Sequence, residues 1–226
     1  MSLVVGVDLI RELANKSPQG LPPARVRLRR EAIELIKAEV LVEAAYSYNI
    51  VPLDRPAAET LLVGGEVLHA PLMLPGSGEL TALGLGVTTL GPRLEKRITQ
   101  LFGEKRISLA LALDEVANEM LFALDRRVQD RMLSECYRRR LTMAGELRAG
   151  DPGLDITAQT TVLRLANAES IGVQLYGGKL MTPLKSTSMV LGVGRNLPPV
   201  SWSRCDTCPS SKKCSFGRRP KSVVPA

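Results

Sequence analysis

Three of the four cysteines, Cys205, Cys208 and Cys214, fall within ten residues in the stretch "CDTCPSSKKC". Two residues between Cys205 and Cys208 let both thiolates face one metal ion or adjacent corners of one cluster. Zinc in a closed structural site takes four ligands, and a 4Fe–4S cluster is normally held by four thiolates. Three cysteines therefore call for a fourth ligand of another kind, a partner's residue, or an iron left open. In a reducing compartment such a pair is more often metal-binding or redox-active than a structural disulfide.

The remaining candidates are weaker. Cys136 sits on a helical apolar stripe, where a free cysteine behaves as a small buried hydrophobe rather than a fourth ligand. His69 is the lone histidine, which excludes any multi-histidine zinc site. "LGLGVTTLG" lacks the third glycine of a dinucleotide loop and has no Gly-Lys-Ser/Thr after it, so its glycines are read as strand and turn glycines. Asp114, Glu115 and Glu119 are read as solvated charges on a helix, or as caps near its start.

The net charge of +7 is unevenly spread. From Arg195 onward there are seven basic residues and one acidic one, leaving a net charge of +1 for the preceding 194. The body is near neutral, so no nucleic-acid partner is expected. Positive charge around thiolates favours their ionised form and offsets the negative charge of a thiolate-ligated cluster. No uncharged apolar run reaches 18 residues, which predicts no membrane span. "MSLVVGVDLIREL" lacks a basic n-region, so a cytoplasmic protein is expected.

The elements that must position these residues are legible from periodicity. Helices are predicted over Val7–Lys16, from Arg25 past Ile36, and from Pro92 to Gly103. The longest carries Leu113, Ala117, Met120, Leu124, Val128, Met132 and Cys136 on one stripe. Its helical region is predicted to end in the loop "RAGDPGLD", before a short helix capped by Thr157. "VEAAYSYNIVPL" reads as a strand ending at Pro52. Short strands joined at "GG", "PGSG" and "GLG" follow between Leu61 and Leu90, and "GVQLYGGKLMTP" and "STSMVLGVG" come last, with a hairpin turn at "YGG". This order predicts an α+β domain with a mainly antiparallel twisted sheet and flanking helices. The body is placed at 1–195 and the basic cysteine-rich tail at 196–226.

From Ile171 onward, "IGVQLYGGKLMTPLKSTSMVLGVG" resembles the C-terminal strands of the reactivation domain of cobalamin-dependent methionine synthase, in particular its stand-alone relatives. Ile171-Gly172, Met181, Pro183 and the Ser186-x-Ser188 pair carry the match. "VTTLGPRLEKRITQLF" and the helix from Asp114 to Val128 resemble the family in order and spacing. The resemblance implies the fold, a corrinoid protein or corrinoid-dependent methyltransferase as partner, and reductive reactivation of Co(II) with methylation by S-adenosylmethionine. It also implies an S-adenosylmethionine loop of the form Arg-x-x-x-Gly-Tyr, here Arg148 and Gly153, and an acidic residue on the long helix.

Several departures count against that ligand. Arg148 is one residue too far from Gly153, and Leu154 replaces the tyrosine. Asn118 and Phe122 stand where acids are expected, and the loop supplies Asp151 and Asp155 but no aromatic. The reading that results is an accessory protein of a corrinoid system. Its Cys205, Cys208 and Cys214 hold an iron–sulfur cluster (a 4Fe–4S cluster, or zinc as the alternative) that supports electron delivery to Co(II). The rivals are a non-enzymatic adaptor that binds zinc or a cluster, and an S-adenosylmethionine-dependent methylating activator.

Overall fold

The computed structural model describes residues 9–10 and 21–198. Apart from Leu9 and Ile10, the helix predicted over Val7–Lys16 lies outside the described residues. A four-stranded antiparallel sheet forms the centre, in the order β1-β4-β8-β5. These strands are β1 (Ala45–Pro52), β4 (Glu79–Thr89), β5 (Thr142–Leu147) and β8 (Ser186–Arg195). Side chains alternate across a strand, and here the alternation divides the core in two. Leu83, Leu85 and Val87 of β4 face one apolar cluster, together with the β2 (Thr60–Val63) and β3 (Glu66–His69) hairpin and α4 (Ala158–Leu165). Met189 and Leu191 of β8 face the other, with α1 (Pro23–Ala38), α2 (Arg93–Gly103) and α3 (Ile107–Arg138). A small hairpin of β6 (Gln174–Tyr176) and β7 (Leu180–Thr182) precedes β8. The predicted α+β class and antiparallel sheet are what the structure shows.

All seven residues of the predicted stripe on α3 are buried, Cys136 among them with no exposed surface. α3 lies close to the sheet because β4 presents little side chain beneath it. A Cβ on Gly84 would stand 3.2 Å from Met132 Sδ, and one on Gly86 would stand 3.1 Å from Met189 Cγ. These glycines are packing surfaces inside one continuous strand, not the turn that "GLG" suggested.

Three further expectations need correction. The helical region does not run to "RAGDPGLD": α3 stops at Arg138, and β5 intervenes as an edge strand of the sheet. Its residues are only partly buried apart from Leu147, so it lacks a clean period-two signal. Thr157 makes no side-chain cap; its own N–H and hydroxyl donate to Asp155, at 2.8 and 2.6 Å. Glu119 is not a solvated charge either. It pairs with Arg29 of α1, one of whose bonds is 2.7 Å, and both side chains are largely covered.

α1, α2 and α3 end alike. The residue after each cap is left-handed (Val40, Lys105 and Arg140), and the next N–H returns to a carbonyl five residues back. Glycine is the usual occupant of that position because a Cβ crowds it. Val40 is β-branched and 64% exposed, so its side chain adds strain and little burial. Val40→Gly is expected to stabilise the fold by about 1 kcal/mol. A lower urea midpoint for that variant would show that the valine makes contacts outweighing its strain.

Candidate functional site

The register of β5 against β8 stops at Leu147↔Val190, so Ser186 to Met189 have no β5 partner beside them. At this divergence the chain leaves the sheet as the loop from Arg148 to Asp155, and α3 passes over it. Arg148 crosses to the helix, where its guanidinium donates to Asp125 Oδ2 at 2.8 Å. It also donates to Glu146 Oε1 at 3.0 Å, and its Cζ lies 6.0 Å from the centre of the Phe122 ring. Asp125 is 2% exposed. Its carboxylate also accepts from Thr88 at 2.5 Å and from Thr187 at 2.8 and 2.9 Å.

One buried carboxylate thus ties together β4, β8, α3 and the residue after β5. A buried charge needs such partners, since an unpaired one costs several kcal/mol. Burial lowers the Arg148 pKa, but the carboxylates of Asp125 and Glu146 outweigh it and hold the group above its ordinary value. With three donors already on it, Asp125 is arranged as a clamp between these elements.

The rest of the loop closes on itself. Asp151 accepts the Arg148 backbone N–H at 3.0 Å, and Asp155 is engaged by Thr157. Gly153 has φ of +88°, and a Cβ there would come within 2.7 Å of Leu72 Cδ1. Both the backbone conformation and the approach of Leu72 call for glycine here. Leu154 is buried at 1% exposure. Further towards the start of α3, Lys185 bonds Asp114 Oδ1 at 2.7 Å and Asn118 Oδ1 at 2.8 Å, closing the same seam between α3 and β8.

The structure therefore brings Arg148 and Gly153 into one loop and gives each an internal role. Asp125, Thr88 and Thr187 were not singled out from the sequence, and Phe122 was noted there only as standing in place of an expected acid. The available signal was Asp125 itself, an acid four residues after Leu121 and three before Val128 on the buried side of α3. The aromatic absent from the loop comes instead from the helix, as Phe122. His69 is exposed at the end of β3.

Cys136 packs with Ala82 and Val193, and burial pushes its thiol above the usual range. Cys205, Cys208 and Cys214 lie outside the described residues. Among the described residues, no group of three histidine, cysteine or acidic side chains is placed to hold a metal ion. No helix among them is long and apolar enough to cross a membrane.

A solved structure described as the crystal structure of the MetH reactivation domain bound to AdoHcy superposes on this fold. The TM-score is 0.63, over 90% of this chain and 80% of that one. The chain has the MetH reactivation-domain fold. Sequence identity across the match is 12%, so the likeness lies in the arrangement of elements and not in shared side chains. No protein-family model matches the sequence, and neither does any curated protein. Within the reactivation-domain fold, Arg148 and Gly153 of this chain serve the contacts described above.

Proposed function

We propose that the protein is an accessory of a corrinoid-dependent methyltransferase system that supports the return of a Co(II) corrinoid to its reduced, methylatable state. The observation that carries this reading is the reactivation-domain fold over nine-tenths of the chain. Cys205, Cys208 and Cys214 are the proposed ligands of an iron–sulfur cluster. Their donor chemistry fits it: crowded thiolates in Cys-x2-Cys spacing, with Lys212 and Lys213 beside them to favour the ionised sulfurs. Such a cluster, when bound, supplies single electrons at low potential. One electron takes Co(II) to Co(I), and a low-potential one-electron donor restores the reduced protein.

The loop geometry favours a donor role over a methylating one. Arg148 and Gly153 are committed to Asp125 and Leu72, so S-adenosylmethionine is proposed not to bind at this loop. Titration calorimetry is expected to show no binding tighter than about 100 μM, which is under 6 kcal/mol. A low-micromolar dissociation constant abolished by Arg148→Ala would make the protein a methylating activator instead.

The function itself is tested anaerobically. Protein reduced with titanium(III) citrate, separated from excess reductant, is mixed with a Co(II) corrinoid methyltransferase domain and methyl iodide. Conversion to the methyl-Co(III) spectrum is expected with the intact chain and not with Cys208→Ser. Equal conversion by both would remove the cysteines from the electron route.

A further inference from the structure

The near-neutral charge of the body conceals its distribution. Between residues 126 and 140 there are six arginines and two acids, so the C-terminal half of α3 is strongly positive. Arg127, Arg131, Ser134 and Arg138 recur at four, three and four residues, which places them on one helical stripe about 16 Å long. Their opposite face, through Val128, Met132 and Cys136, is buried in the core. Arg138, Arg139 and Arg140 then cluster around the helix end, where positive charge meets the negative end of the helix dipole.

Arg139 bonds Glu135. Among the described residues neither Arg138 nor Arg140 has a carboxylate within ion-pair distance. Tyr137, between them and Cys136, is 60% exposed.

The same corner is where the cysteine-bearing segment departs. Thr142, two residues beyond Arg140, pairs with Gly194, and its hydroxyl accepts the Leu197 N–H at 2.9 Å. Cys205 comes only seven residues after Pro198, a length of chain that spans at most about 25 Å when fully extended.

We infer that the arginine corner of α3, with Tyr137, is a docking surface for a protein partner that presents a carboxylate-rich face. Arginine and tyrosine are the residues that anchor protein interfaces, and opposed charge sets orientation and raises the association rate. Asp130 and Glu135 interrupt the positive run. That pattern penalises a continuous phosphate backbone or an anionic lipid plane, and it suits a discrete carboxylate patch. Resting on the reading above, the inference places the partner beside the exit of Cys205, Cys208 and Cys214, at the end of the sheet where β8 finishes. It does not depend on what those cysteines bind.

The full chain is titrated with fluorescent poly-L-glutamate, with a random-sequence DNA duplex, and with phosphatidylserine vesicles, all at low salt. Arg138→Glu/Arg140→Glu is compared with the control Arg27→Glu/Arg30→Glu, which reverses two exposed charges on α1. Thermal melts within a few degrees of the parent confirm that both variants fold. Polyglutamate binding is expected to fall about tenfold or more in the corner variant and to change less than about twofold in the control. Equal losses in both would mean general charge attraction and no docking surface. Duplex or vesicles bound about tenfold more tightly than polyglutamate, with the same dependence on the corner, would assign the surface to nucleic acid or membrane and overturn the inference. Iron content is measured on each variant, so failure of the corner is distinguishable from failure of the cluster assignment.

Discussion

Cys208→Ser is expected to strip most of the iron and acid-labile sulfide from anaerobically purified protein, while Cys136→Ser leaves both in place. Cys208 is the second thiol of the Cys-x2-Cys pair, and a serine hydroxyl is a poor replacement for a thiolate on iron. Cys136 has no exposed surface, and burial holds it as the neutral thiol, which is not the ligating form. The parent should be brown, with broad thiolate-to-iron absorption that disappears in Cys208→Ser. Circular dichroism separates loss of the cluster from loss of the fold. Zinc in place of iron would turn the reading towards an adaptor. Loss of iron from a folded Cys136→Ser protein would make that residue a ligand and contradict its place in the core. Thiol labelling gives an independent check: Cys136 should react with a maleimide only after unfolding.

Arg148→Ala should cost about 3 kcal/mol of stability, the largest effect expected from any residue of the candidate site. The substitution leaves Asp125, which is 2% exposed, without its cation. The two threonine hydroxyls still donate to it, but they bring no charge. Asp125→Asn should cost less, about 1 to 2 kcal/mol, because an amide oxygen can keep accepting from Thr88 or Thr187. The double variant Asp125→Asn/Arg148→Met removes both charges and should lie closer to the parent than Arg148→Ala does. Urea unfolding measures all three. A loss below about 0.5 kcal/mol for Arg148→Ala would mean that Glu146 and solvent hold the site without the clamp, and that Arg148 is free for a ligand.

Elements with a strong period were legible in the chain alone. α3 was legible because a stripe from Leu113 to Cys136 repeats at helical spacing over seven positions, and only burial on one side rewards that pattern. The same stripe assigned Cys136 to the core. The β6–β7 hairpin was legible from its glycine turn, and the cysteine spacing and the basic segment around it needed no coordinates.

The features that were not legible depend on groups distant along the chain. β5 is an edge strand recognised by its partner β8, with a register shift between Ala144 and Leu147 that blurs its alternation. "GLG" became strand and not turn because α3 needs bare backbone to approach. Glu119 left solvent because Arg29, 90 residues away, covers it. The Asp125–Arg148 clamp joins residues 23 positions apart with threonines from two strands. Its energetics come from low-dielectric burial, which exists only once the sheet and α3 have packed. The arginine corner follows the same logic. Its charges were countable in the sequence, but their exposure beside the exit of the cysteine segment was set by where β5 and β8 meet.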